Sequence, residues 1–280
     1  MRIKFWGCRG SIPVPDGRMI KYGGNTTCVE VNIAGKTLII DAGTGIRKLG
    51  EELIAKKVKD IEIFLTHSHW DHIQGFPFFK PVYEEDCNIR ISGCTNSYKQ
   101  IRDILTKQMS YEFFPVRFSD LKSKITFVEG EFQTDLIEGY SMKTIEANHP
   151  IYTLGVRIDC PGGAFVFITD NELHRENART TWDEFVEFSK GADYLIHDAQ
   201  FTEAEYESRK GWGHSAFEHV IELAINADVK NLGFFHHDPD RKDSMLDDIE
   251  KKFKKVCKQR KCLFNIFAVK EHSGIDLSGG

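Results

Sequence analysis

The sequence predicts an α+β fold. Short apolar runs rich in β-branched and aromatic residues recur along the whole chain, as strands do. Between them lie segments with apolar residues at helical spacing. With 280 residues, 41% hydrophobic and 28% charged, the chain can bury a sizeable core. It holds no repeats, no low-complexity tract and no linker, so we expect one domain over residues 1–280.

Residues 2–6 and 28–33 read as strands. The loop between them holds Gly7, Gly10, Ser11, Pro13, Pro15, Gly17, Gly23, Gly24 and Asn25. It is either a rim whose amides approach an anion or a plain hairpin loop. Residues 37–41 form a strand ending at Asp41, before a glycine turn. Asp41 either braces a metal-binding histidine or caps the helix from Gly45 to Ala55. That helix carries Ile46, Leu49, Leu53 and Ile54 as core.

The strand Ile61–Leu65 runs into Thr66-His67-Ser68-His69-Trp70-Asp71-His72. Phe76-Pro77-Phe78-Phe79 reads as a pocket wall, and residues 97–109 as a helix. Residues 109–116, with Tyr111, Phe113 and Phe114, form either a lid over the site or a hydrophobic plug outside the sheet. Strands follow at 124–128, 142–147, 153–159 and 164–169. The second leads to His149 and the fourth to Asp170. A strand at 194–196 leads to His197-Asp198-Ala199-Gln200. Gly211-Trp212-Gly213-His214-Ser215-Ala216 precedes an amphipathic helix with Val220, Leu223, Ala224 and Ala227. A strand at 232–235 leads to His236-His237-Asp238-Pro239. Lys251–Lys261 holds seven Lys or Arg, with Leu246, Ile249, Phe253 and Val256 at helical spacing around it. It reads as a helix with an apolar seam and a basic face. Residues 266–269 are the last strand.

The chemistry concentrates at residues 67–72, where three imidazoles and a carboxylate fall within six positions. Histidine is only 11 of 280 residues, so chance is a poor account of that density. Imidazole with carboxylate suits zinc, manganese or ferrous iron. The spacing allows two ions: His67 and His69 turn to one, and Asp71 and His72, at a helix start, turn to another. A net charge of −5 argues against a dedicated nonspecific nucleic-acid binder. No apolar run approaches the roughly 18 residues a membrane span needs. Cysteines 8, 28, 87, 94, 160, 257 and 262 form no Cys-x-x-Cys pair and read as reduced thiols of a cytoplasmic protein. Met1–Gly7 reads as a strand start and not a signal peptide.

His67-x-His69-x-Asp71-His72 matches the His-x-His-x-Asp-His signature of the metallo-β-lactamase superfamily. The resemblance implies a four-layer αββα sandwich of two mixed sheets, with the site at one edge. It implies that His67, His69 and His149 hold one divalent ion and Asp71, His72 and His236 the other, with Asp170 bridging. Zinc is the first expectation, manganese or iron the alternatives. The β-lactamase branch proper has cysteine at the position of Asp170. The flavodiiron branch has glutamate at that of His69, which argues against oxidoreductase chemistry.

The later motifs resemble the phosphodiesterase branch typified by tRNase Z. His197-Asp198-Ala199-Gln200 is similar to its His-Glu-Ala-Thr motif, with Asp for Glu. His214-Ser215-Ala216 is similar to its His-Ser-Thr motif, with Ala for Thr. Alignment on Pro239 selects His236 over His237. The resemblance implies that His214, oriented by Asp198, gives a proton to the leaving group, and that Asp71 serves catalysis as well as metal binding. Many tRNase Z proteins carry a long tRNA-grasping arm between the third and fourth ligands. His149 and Asp170 lie only 21 positions apart, which leaves no room for one.

The expectation is therefore a dinuclear metal-dependent phosphodiesterase acting on a small or cyclic nucleotide or sugar phosphodiester. The rivals are a tRNA 3′-processing endonuclease, a thioester, lactone or β-lactam hydrolase, and a metal- or nucleotide-sensing binding protein. The expected partner is a small phosphodiester, with RNA as the weaker alternative through the basic helix. No membrane is expected; the sequence leaves the oligomeric state open, a homodimer being one alternative.

Overall fold

In the computed structural model, residues 1–93, 98–128 and 139–277 are described. The chain runs β1 (Arg2–Gly7), β2 (Cys28–Ile33), β3 (Lys36–Ile40), α1 (Ile46–Ala55), β4 (Asp60–Leu65), α2 (Trp70–Ile73), β5 (Asn88–Gly93), α3 (Tyr98–Gln108) and β6 (Lys124–Phe127). It continues with β7 (Ser141–Glu146), β8 (Leu154–Cys160), β9 (Gly163–Ile168), α4 (Trp182–Ser189), β10 (Tyr194–Asp198), α5 (Glu203–Tyr206) and α6 (Phe217–Asn226). Last come β11 (Asn231–Phe235), α7 (Asp243–Arg260), β12 (Asn265–Ala268) and β13 (Gly274–Asp276).

The strands form two mixed sheets, ordered β13-β1-β2-β3-β4-β5-β6 and β12-β11-β10-β9-β8-β7. Pairing is antiparallel from β13 to β3 and parallel from β3 to β6. In the second sheet β9 to β12 are parallel, and β7, β8 and β9 antiparallel. Side chains alternate between the two faces of a strand, so each sheet presents one apolar face to the other. Ile3, Phe5, Val31 and Phe64 of the first sheet meet Val156, Phe165, Phe167 and Phe235 of the second in one buried core. The outer face of the first sheet is covered by α1 and α3, and that of the second by α4, α6 and α7. This is the four-layer αββα sandwich, and no described helix is long and apolar enough to cross a membrane.

One expectation is corrected and two open alternatives are decided. Phe76 and Phe79 are fully buried in the outer core of the first sheet and so form no exposed wall beside the histidines. Phe79 packs on Gly50 of α1, which has no side chain to hold it off; apolar burial outweighed the adjacency to the histidines. Only Phe78 is exposed, with its ring edge-on to Phe114 at 5.4 Å. Asp41 does not cap α1, whose N-cap is Gly45 with no side-chain bond. Of the lid and the plug, the packing favours the plug: Met109 and Phe114 join the same outer core. Tyr111 and Phe113 remain exposed. The six described cysteines are free thiols; Cys94 and residue 97, the expected first residue of the third helix, lie outside the described residues.

Candidate metal centre

Parallel register brings the site together. His197 of β10 lies beside Ile168 of β9 and Phe234 of β11. Asp170, Asp198 and His236 therefore emerge from three adjacent strand ends, facing the loop after β4. The first sheet supplies His67 and His69 from extended chain and Asp71 and His72 from the single turn of α2. Asp41, Asp170 and His236 have φ of 63°, 49° and 57°. L-residues rarely occupy that left-handed region, and such conformations persist where surrounding structure holds them for a function.

Two groups of donors form. His67, His69, His149 and Asp170 offer atoms mutually within 4.8 Å, and so do Asp71, His72, Asp170 and His236. Asp170 belongs to both, and its oxygens divide between them. Oδ2 lies 3.5 Å from His67 Nε2 and 3.9 Å from His149 Nε2. Oδ1 lies 3.2 Å from His72 Nε2 and 3.3 Å from His236 Nε2. Asp71 Oδ2 lies 3.1 Å from His236 Nε2 and accepts from the Ser11 amide at 2.7 Å. The glycine-rich loop thus reaches the site through an amide, while also joining β1 to β2 as a hairpin.

Buried partners fix the rings. Asp41 accepts from His72 Nδ1 at 2.8 Å, and also from the Thr66 amide and hydroxyl, so its bracing role is the one the geometry favours. The Gly213 carbonyl accepts from His149 Nδ1 at 3.0 Å, which turns Nε2 inward to 3.0 Å from His69 Nδ1. His236, not His237, faces the cluster; His237 Nε2 instead donates to the Val269 carbonyl at 2.8 Å. A Cβ on Gly10 would stand 2.5 Å from the His236 ring, so glycine is what lets the loop lie against it.

The electrostatics call for cations. Burial holds His67 well below the ordinary imidazole value, and lowers His149 to about 4, so both stay neutral and free to ligate. Burial also disfavours charge on His72 and His236, but Asp170 and Asp71 outweigh it, pushing His72 well up and His236 to about 9. Asp41, Asp71, Asp170 and Asp198 make the ion pairs described for them with histidines alone. His67 Nε2 and His72 Nε2 are buried without a hydrogen-bond partner. Unpartnered buried nitrogens are costly, and nitrogen with carboxylate is the donor set of divalent transition metals. The residues present fit two such ions.

A third group, Asp198, His214 and His236, adjoins the second donor set. Asp198 Oδ2 lies 2.6 Å from His214 Nδ1, so aspartate reaches this partner despite being a methylene shorter than glutamate. The His214 ring stacks on His236 with centroids 5.0 Å apart. With Nδ1 engaged, Nε2 is the nitrogen left to face a substrate.

Sequence reasoning missed several supports. Arg9 is fully buried and donates to the carbonyls of Gly23, Asp238 and Arg241, tying the glycine-rich loop to the chain after His236. Asn148, Asn171 and Glu172 are buried beside His149 and Asp170. Their signal was position: each is within two residues of a strand-end ligand candidate.

Residues 36–237 match the family model described as a Beta-lactamase superfamily domain. The chain belongs to that superfamily and is a metal-dependent hydrolase. Among curated relatives it is 23% identical to "Ribonuclease Z" of Haloarcula marismortui, covering 84% of this chain and 86% of that one. It is 24% identical to "Ribonuclease Z" of Thermoplasma acidophilum, covering 91% and 93%. The fold is shared with the short form of human tRNase Z (TM-score 0.66, 19% identity, 99% of each chain). It is also shared with a diphosphatase from the PhnP family (TM-score 0.68, 17% identity, 98% and 97% of the chains).

Proposed function

We propose that the protein is a dinuclear phosphodiesterase acting on a small nucleotide or sugar phosphodiester, cyclic forms included. The observation that carries the reading is Asp170, whose two oxygens face two separate sets of donors. His67, His69 and His149 would hold one ion and Asp71, His72 and His236 the other, zinc being the first expectation. Two divalent ions there would lower the pKa of a shared water and take up charge on a phosphoryl oxygen. His214 gives a proton from Nε2 to the departing alkoxide. Asp198 holds the ring in the tautomer with Nδ1–H and stabilises the imidazolium before transfer. Asp71, held by the Ser11 amide, keeps the glycine-rich loop against the reacting face. His214→Ala is expected to keep metal content and to lose about 10²–10⁴-fold in rate on alkyl phosphodiesters. Activated aryl phosphodiesters, whose leaving group needs no proton, lose less; equal losses on both would remove the acid role.

Two features support a small substrate. A cleft of about 330 Å³, lined by Gln100, Asp103, Ile104, Lys107, Ile151 and Tyr152, adjoins the candidate metal centre at Ser68 without including its donors. That is the low end of small-molecule sites. The basic helix α7 is partly neutralised, since Lys252, Lys254 and Arg260 pair with Glu218, Glu250 and Glu222. The names of the curated relatives favour the second reading, an endonuclease on precursor tRNA. The test compares kcat/KM for a 2′,3′-cyclic nucleotide with that for a precursor tRNA at physiological salt. A tRNA advantage of about tenfold or more, abolished by Lys252→Glu with Lys255→Glu, would replace the small-substrate reading with the endonuclease.

A further inference from the structure

Glu172 lies two residues beyond Asp170 and is only 1% exposed, a rare place for a carboxylate. Its oxygens accept from three donors. Tyr206 Oη donates to Oε1 at 3.0 Å. The Gly211 amide donates at 2.8 Å to Oε1 and 3.1 Å to Oε2, and the Gly213 amide at 3.1 Å to Oε2. Arg175 Nη1 stands 3.7 Å away. The backbone amide of Glu172 donates to the Asn148 carbonyl at 3.0 Å, beside His149. One buried residue therefore joins the chain after Asp170, the turn before His149 and the loop 211–214.

What that loop carries gives the contact its meaning. Gly211 and Gly213 have φ of +88° and +91°, so the loop is folded tightly enough to aim both amides at one carboxylate. The Gly213 carbonyl orients His149, and the next residue is His214. A Cβ on Gly213 would stand 2.2 Å from His149 Nδ1, so peptide and ring are already in contact. Charge-assisted bonds from amides to a carboxylate are stronger than neutral ones and fix direction. Ser215 adds a tie, donating to the Asn171 carbonyl at 2.6 Å and accepting from the Leu173 amide at 3.1 Å.

We propose that Glu172 is the positioning residue of this hydrolase: it sets the 211–214 loop, and through it the aim of His214 and the ring of His149. The proposal rests on the proton-donor reading of His214, and the experiment separates the two. Glu172→Gln keeps the shape but turns an NH₂ group toward donors; Glu172→Asp keeps the charge and shortens the reach. Tyr206→Phe removes one donor and leaves both amides in place. Amide hydrogen exchange over 211–213, followed in the metal-free protein, should rise by about tenfold or more in Glu172→Gln, less in Glu172→Asp, and little in Tyr206→Phe. On the loaded enzyme, Glu172→Gln should lose more kcat on an alkyl than on an aryl phosphodiester, as His214→Ala does. Adding it to His214→Ala should cost little further. Unchanged exchange at 211–213 overturns the proposal. So does an equal loss on both substrates in Glu172→Gln while His214→Ala discriminates between them. If His214→Ala itself fails to discriminate, the acid reading falls, and the exchange data alone decide whether Glu172 holds the loop. Should the Gln variant not fold, Glu172→Asp carries both readouts.

Discussion

The two sheets build their halves of the centre in different ways. The first sheet supplies His67, His69, Asp71 and His72 from one strand end and one helical turn, six consecutive residues with little backbone distortion. The second supplies His149, Asp170, Asp198 and His236 from separate strand ends, two of them at positive φ. Contiguous candidate ligands are placed largely by the covalent chain, with Asp41 bracing His72. Dispersed ones depend on buried partners such as Asn148, Asn171 and Glu172. The cost of damage should follow that division, and Asp170, which both donor groups share, should be the most sensitive position of all.

The largest effect is expected at that shared residue. Asp170→Ala should take activity to background and lower metal content on both sides, because each donor group loses an oxygen. His69→Ala, at a half-buried imidazole of one group alone, should lose about one ion and leave the other. Elemental analysis of both variants checks this. Full metal content in Asp170→Ala would mean that the two sides are independent and that the carboxylate bridges nothing.

A matched pair sharpens the comparison at the level of supports. Asp41→Asn weakens the brace on His72, within the contiguous half. Loss of such a bracing carboxylate lowers metal affinity by about 10–100-fold. Asn still fits, so folding should change little. Gly213→Ala acts on the dispersed half, where the new methyl must push on His149 and the backbone is strained by about 1–3 kcal/mol. This variant should lose folding stability as well as metal. Metal titration with chemical denaturation separates the two outcomes. Equal stability losses would show that the dispersed half is no more dependent on its scaffold than the contiguous one.

The same division governs what the sequence makes legible. A run such as His67–His72 announces itself because four candidate ligands in six residues have no structural need. His149, Asp170 and His236 each look like an ordinary strand-end cap, and only their order in a known family singles them out. Its place two residues beyond Asp170 puts Glu172 near the site but says nothing of the proposed role, which comes from loop 211–214 folding over it. Most strands were legible from apolar runs, but β5 and β13 were not: Asn88-Ile89-Arg90-Ile91 offers two apolar residues and is paired between β4 and β6, and the three-residue β13 follows what read as the last strand. Helix α4 announces its start in the Thr181–Glu184 capping box, a signal that apolar periodicity passes over. Phe76 and Phe79 misled because neighbours in sequence to a site are not its neighbours in space. Asp71 and His72 face inward from α2 while the chain after them turns under the first sheet.

The smallest effect concerns the ion pair that closes the dispersed half. Arg241 donates to Glu205 at 2.8 Å and to the Gln200 carbonyl at 3.0 Å, and its own carbonyl accepts from Arg9 at 2.9 Å. It thereby joins the chain after Asp198 to the chain after His236. Burial would raise the Glu205 pKa, but Arg241 and the Thr202 amide and hydroxyl outweigh it and lower it to about 2. A depressed carboxylate adds stability above its unfolded value, near 4.5, and that stability fades as pH falls toward the folded value. Glu205→Gln should therefore lower Tm at pH 7, and the gap from the parent should narrow as pH drops from about 4.5 toward 2. Since Glu205 is about one-third exposed, water screens the pair and the loss should stay near or below about 1 kcal/mol. Metal content at pH 7 should be unchanged, because Glu205 touches no ligand candidate. A Tm gap that does not change with pH would assign the contribution to the capping bonds with Thr202, which Gln keeps in part, and not to the charge on Glu205.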